Sequence, residues 1–99
     1  MKRYLYKSLT LYDEGIKLDY YIITTYIARG KKRIPTYGAE IVQKPVFSEC
    51  TLKNFSSRIT DITPSRLKIT SFAEVLYKNA VDASMLRDAV TDGLEEGIF

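Results

Sequence analysis

The period of the apolar residues changes at Thr63-Pro64. Before that point they alternate with a period of two, as in half-buried strands; after it they recur at i, i+3, i+4 and i+7, as along one face of a helix. Strands gathered in one part and helices in the other predict an α+β fold: an antiparallel β-meander of three to five strands, followed by a C-terminal two-helix hairpin packed on one sheet face. Charge changes sign at the same boundary. Residues 1–62 carry 11 Lys and Arg against 6 Asp and Glu, a balance of +5, and residues 63–99 carry 4 against 6, a balance of −2. A chain of 99 residues buries somewhat over ~60% of its extended-chain surface, enough for one core and not two. Residues 1–99 are therefore expected to form a single domain, β-rich over 1–62 and helical over 63–99.

In residues 4–12, alternation places Leu5, Leu9 and Leu11 on one face and Tyr4, Tyr6, Ser8, Thr10 and Tyr12 on the other, with Lys7 intruding on the leucine side. Asp13-Glu14-Gly15 supplies a turn, Gly15 offering the positive φ that tight hairpins need. Residues 17–28 put Tyr20, Ile22 and Tyr26 on one face and Tyr21, Ile23 and Ile27 on the other; a strand apolar on both faces belongs at the centre of a sheet. The run Arg29-Gly30-Lys31-Lys32-Arg33 cannot be buried and marks an exposed hairpin loop. A third strand is expected over 34–43, with Pro35 at its start or on an unpaired side and Gly38 at a bulge or close backbone approach. Lys44-Pro45 ends it. Residues 46–51 read as a fourth short strand, 54–57 as a turn and 58–62 as a fifth strand.

Thr63 is suited to cap a helix and Pro64 to occupy its first position, where a missing amide costs nothing. Ile69, Phe72, Ala73 and Leu76 then form one apolar stripe with Val75 beside it. Asn79 to Val81 breaks the run. Asp82 is placed to cap a second helix, whose stripe is Met85, Leu86, Ala89, Val90 and Leu94, with Gly97 as the stop.

Three short motifs in the second part of the chain carry a family likeness: Tyr37-Gly38-Ala39-Glu40-Ile41, Asp61-Ile62-Thr63, and Lys78-Asn79-Ala80-Val81 followed by Leu86, Asp88, Val90 and Asp92. Over residues 34–96 the chain resembles a family of small uncharacterised clostridial (Firmicutes) proteins of unknown function. That resemblance implies the strand, the helix entry and an acidic closing helix, and no activity, cofactor or partner. Members of the family often carry a Pro and a His where this chain has Ala83 to Met85, so a role for that histidine would not transfer.

With no histidine in the chain, His-dependent triads, Cys-His pairs and the commonest zinc sites are excluded. Catalysis would fall to carboxylates, Lys, Tyr or a lone hydroxyl, and no nucleophile–base pair can be named. The expectation is a protein that is no enzyme, with no catalytic residue, cofactor or metal. Cys50, the single cysteine, forms no intrachain disulfide, fits a reducing compartment and reads as a buried, inert thiol. The apolar stretch 20–28 is far short of a membrane span of ~20 residues. Met1-Lys2-Arg3 looks like the start of a signal segment, but Lys7 interrupts the apolar run that should follow. A cytoplasmic protein without a membrane partner is expected.

Three surfaces are candidates for function. Arg29, Lys31, Lys32 and Arg33 at a hairpin tip either bind phosphates, with Tyr26 and Tyr37 on adjoining strands to stack bases, or only keep the hairpin soluble. Tyr4, Tyr6 and Tyr12 share one face of the first strand and either pack internally or meet a partner. Asp88, Asp92 and Glu95 lie at i, i+4 and i+7 on the last helix, suited to a basic partner; helix-surface acids without backbone carbonyls or a Gly-bearing loop make poor calcium sites. Glu95 and Glu96 also stand near the helix C-terminus, where the macrodipole disfavours anions. A buried Glu40 would need a cation, and Lys7 is the expected partner. Together these give an interaction or regulatory protein acting on a protein partner or on a second copy of itself. Nucleic-acid binding through the basic loop is the alternative.

Overall fold

The computed structural model describes residues 1–46 and 54–99. Among them, strands β1 (Lys2–Leu11), β2 (Ile16–Arg29), β3 (Lys32–Pro45) and β4 (Phe55–Thr63) form one antiparallel sheet in the order β1-β2-β3-β4. Helix α1 (Arg66–Lys78), a 3-10 turn (Ala83–Met85) and helix α2 (Leu86–Glu95) follow. This is the expected α+β meander with its helices at the C-terminal end. The strand expected over 46–51 falls, but for Val46, outside the described residues, as does Cys50.

Glycines at positive φ close both tight hairpins. Gly15 (φ 69°) ends the first turn, its amide donating to Tyr12 O at 3.1 Å. In the second, Gly30 (φ 63°) and Lys31 alone separate the paired residues Arg29 and Lys32, a two-residue loop with glycine first that matches the twist of the flanking strands. The β2 strand pairs on both sides, as its two apolar faces require.

One face of the sheet carries the core. Ile16, Leu18, Tyr20 and Ile22 of β2 and Ala39 and Ile41 of β3 pack against Ile69, Phe72, Ala73 and Leu76 of α1 and Leu86 and Val90 of α2. The α1 stripe is the one its spacing predicts. The α2 stripe is narrower: Leu86, Val90 and Gly93 are buried, whereas Met85 and Leu94 are 51% and 60% exposed. Helix α2 leans along β4, Ala89 packs half-buried beside Val90, and Met85 and Leu94 fall outside the strip. Helix α1 lies over β2 and β3, and the two helices make few close backbone approaches.

Both helices end alike. Ala80 (φ 49°) and Gly97 (φ 70°) take the left-handed position after the cap, and the next residues reach back, Val81 N to Leu76 O at 3.1 Å and Ile98 N to Gly93 O at 2.9 Å. These bonds satisfy the terminal carbonyls. Asp82 caps the 3-10 turn, accepting from Ser84 N and Met85 N.

The start of α1 departs from expectation. Thr63 is the last residue of β4, buried, and Ser65 is the cap, its Oγ accepting from Lys68 N at 3.2 Å. A residue before proline is held in extended backbone, which keeps Thr63 in the strand and leaves Pro64 in the connection. Thr63 Oγ1 accepts from Ser65 N at 3.2 Å. The turn expected over 54–57 is also corrected, since residues 55–57 pair with Gln43, Val42 and Ile41 as part of β4.

Two irregularities set which side chains face which way. Between Tyr37 and Ala39 of β3, β4 passes from Thr63 to Ile59, so four residue steps oppose two. Asp61 takes φ 55° there, and a Cβ on Gly38 would lie 2.2 Å from the Ile59 carbonyl oxygen. The close backbone approach anticipated at Gly38 is therefore real. The second irregularity is a bulge in β1 between Leu5 and Lys7, which oppose the adjacent residues Tyr21 and Tyr20.

Candidate functional site

The β1 bulge reverses the parity of half the strand. Tyr4 opposes Ile22, and Leu9 and Leu11 oppose Leu18 and Ile16, all on the helix-bearing face, while Leu5 falls on the open face opposite Tyr21. The tyrosine face expected of Tyr4, Tyr6 and Tyr12 is thus dispersed, because one extra residue flips every later side chain. Tyr6 packs against the core and donates its hydroxyl to Glu74 of α1. Tyr12 is 70% exposed in the first turn, and Tyr4 stands at the other end of β1.

Lys7 also lands on the helix side. Its Nζ donates to Glu74 at 2.9 Å and lies 4.9 Å from the Tyr77 ring. The hydrogen bonds from Tyr6 and Lys7 hold the Glu74 carboxyl below its ordinary range. The expected Lys7–Glu40 pair is therefore corrected, since the two occupy opposite faces of the sheet. Glu40 is buried, at 4% exposure, and takes Arg3 at 2.6 Å and Arg58 at 3.0 Å. Arg3 in turn lies over the Tyr21 ring at 4.3 Å. A second buried carboxylate on that face, Asp19, accepts from Ser8 Oγ at 2.6 Å, with Lys44 and Lys17 at 3.4 and 3.7 Å. Burial alone would raise the Asp19 carboxyl, and the Ser8 hydrogen bond with the two lysines outweighs it to leave a net lowering. Each buried carboxylate thus has two cations, which offsets desolvation. Their alkyl stems also help to cover the face that carries no helix.

On the helix face, Tyr20 donates to Val81 O at 2.9 Å, and burial, with Asp82 and Tyr77 nearby, pushes its phenol up to about 12.

The basic hairpin projects. β1 pairs with β2 only as far as Thr24, and β4 with β3 only as far as Tyr37. Beyond the buried Thr36, whose hydroxyl still donates to Asp61 of β4 at 2.6 Å, residues 26–29 and 32–35 form a two-stranded ribbon. Pro35 falls there, where β3 has a single neighbour. Strand pairing divides the four expected cations. Arg33 shares a face with Tyr26, Arg29 and Lys32 share the opposite one, and Lys31 is at the turn. The Arg33 guanidinium lies 4.9 Å from the centre of the Tyr26 ring.

At the ribbon's root, on the helix side of the sheet and beyond the start of α1, lies a groove of about 410 Å³. Tyr4, Tyr26 and Tyr37 line it with Lys2, Arg66, Thr24 and Pro35. Sequence parity groups Tyr26 with Tyr37, but Tyr4 and Lys2 join them only through the β1–β2 register, which sets Lys2 opposite Thr24, and Arg66 only through the packing of α1. No local signal announces either cation. The acids Asp88, Asp92 and Glu95 are exposed on α2, apart from this groove.

The chain matches the model of a family of unknown function (DUF6514) over residues 1–96. It belongs to that family. The match takes in the ribbon, the groove and the helices together. No curated protein and no solved structure matches the chain. Among the described residues, no helix is long and apolar enough to cross a membrane.

Proposed function

We propose that the protein is a non-enzymatic binding module, and that the groove at the ribbon root takes a single strand of nucleic acid. One observation carries this reading: Tyr4, Tyr26 and Tyr37 converge with Lys2, Arg33 and Arg66 on one open stretch of sheet. Phenol rings stack on bases of any sequence for about 1–3 kcal/mol per base, and the cations neutralise phosphates and release counterions. The projecting ribbon continues the basic track to Lys31. The groove lining is phenols, hydroxyl and cations without carboxylate, thiol or imidazole, which suits holding a ligand better than transforming one. The single cysteine and the resemblance support a reducing, cytoplasmic setting in a clostridial bacterium. A regulatory role through a protein partner is the second reading, favoured by the acidic stripe of α2.

Fluorescence anisotropy with labelled oligo-dT and oligo-rU, and with a hairpin duplex, over a range of salt tests the nucleic-acid reading. Single strands are expected to bind more tightly than the duplex. Tyr26→Ala should weaken them roughly tenfold. Replacing Lys31, Lys32 and Arg33 by Ala should reduce the slope of log affinity against log salt by about 0.7 for each phosphate that is no longer neutralised. Equal binding of duplex and single strand, or an unchanged slope in the triple variant, would overturn it.

A further inference from the structure

Between α1 and α2 lies a second depression, of about 240 Å³. It is unlike the groove at the ribbon in both chemistry and size. Phe72 and Leu76 of α1 and Gly93 of α2 form its floor, Val75 and Ile98 its exposed edges, and Asp92 and Glu96 one wall. The cleft exists because the helices stand apart over different strands. Gly93 contributes no side chain, and the space a Cβ would take is held by the Phe99 ring, 2.6 Å from that position and packed edge-on against Phe72 at 4.8 Å. Small-molecule pockets run to ~300–1,000 Å³, so this cleft suits one or two apolar side chains of a larger partner. Val75 remains 52% exposed beside it.

The wall identifies the partner's charge. Asp92 and Glu96 stand one helical turn apart, with Asp88 a turn before and Glu95 adjacent, all on the last three turns of the chain's helices. Among the described residues none of the four pairs with a cation, whereas Glu40, Asp19 and Glu74 all do. The macrodipole at a helix C-terminus disfavours anions, so Asp92, Glu95 and Glu96, in the last turn and cap of α2, gain most from a cation brought by another molecule, whereas Asp88 lies in the first turn. An apolar trough between two helices with an acidic wall complements a helix bearing apolar residues on one face and Lys or Arg beside them, the helix-in-groove mode of recognition.

We infer that the α1–α2 cleft docks a basic amphipathic helix of a partner protein, inserting one or two apolar side chains over Phe72 and Gly93 with its cations on Asp92 and Glu96. This rests on the protein being a binding module and uses a surface apart from the nucleic-acid groove, so either can fail alone. The test is selection of a displayed library of helical peptides on the intact protein, with Val75→Glu and the double variant Asp92→Lys/Glu96→Lys as counter-targets. All three substituted residues are on the surface, so both variants are expected to melt near the temperature of the parent. Selected peptides should carry an apolar pair at i, i+3 or i+4 flanked by Lys or Arg, and should bind each variant at least about tenfold more weakly. Peptides without basic enrichment, or bound equally by the variants, would overturn the proposal. So would sedimentation showing self-association that Val75→Glu abolishes, since the cleft would then be covered by a second copy. Oligonucleotide binding unchanged in the same variants would show that a failure here leaves the groove reading standing.

Discussion

Strand β2 runs through two unlike environments with nearly the same residue types. Ile16, Leu18, Tyr20 and Ile22 are buried under the helices, and Tyr26, Ile27, Ala28 and Arg29 are exposed in the ribbon. Tyrosine and isoleucine occur in both, so side-chain type does not separate them. What separates them is neighbours: the first segment has two flanking strands and a helical layer, and the second has β3 alone. A segment without a packed layer contributes little to global stability and opens at low free energy, which is where a ligand-binding element is best placed. Stability should therefore reside in the packed end and binding in the ribbon and its root.

The largest expected effect lies at the packed end. Phe72→Asp places a charge on the buried face of α1, within the core, and should unfold the domain, costing more than about 4 kcal/mol; loss of the cooperative thermal transition is the readout. A variant as stable as the parent would break the comparison outright. Gly38→Ala tests the boundary, because Gly38 opposes Ile23 at the last packed turn of β2. Its methyl would meet the Ile59 carbonyl oxygen, so urea unfolding should show a loss of about 3 kcal/mol.

Next comes a pH effect on the open face. Asp19 has a lowered pKa in the fold, so its contribution is fully present above the unfolded value of about 4 and is lost as pH falls through the folded value. Asp19→Asn should be less stable than the parent at neutral pH, and the two denaturation curves should converge in acid. A gap that persists below that range would show that the carboxylate's charge is not what matters. The smallest effect belongs to the ribbon: replacing Lys31, Lys32 and Arg33 by Ala should shift stability by no more than about 0.5 kcal/mol. A loss matching that at Gly38 would mean that the tip is part of the folded core, and the division into two ends would fail.

Most of the architecture is legible in the chain itself. The α1 stripe needs only its spacing, Gly15 and the basic run only their local chemistry, and β2 only its two apolar faces, because each depends on residues close in sequence. Gly38 reads as a close approach, although nothing nearby names Ile59 as the neighbour. The candidate site is legible in part. Tyr26, Tyr37 and the loop cations stand out locally, but the division of those cations between two faces follows from pairing, and Lys2 and Arg66 enter the groove from positions distant in sequence.

The sequence by itself determined the α+β class, the hairpins, the central strand and the change of charge along the chain, since period, turn chemistry and composition are local quantities. Tertiary structure alone decided the partners of Lys7 and Glu40, the dispersal of Tyr4, Tyr6 and Tyr12, the pairing of residues 55–57 into β4, and the cleft between α1 and α2. Single-residue changes of register caused much of this: a bulge at Leu5/Lys7 moves every following side chain to the other face. The free energy that selects such a bulge comes from interactions across the sheet and helices, such as Tyr6 and Lys7 on Glu74.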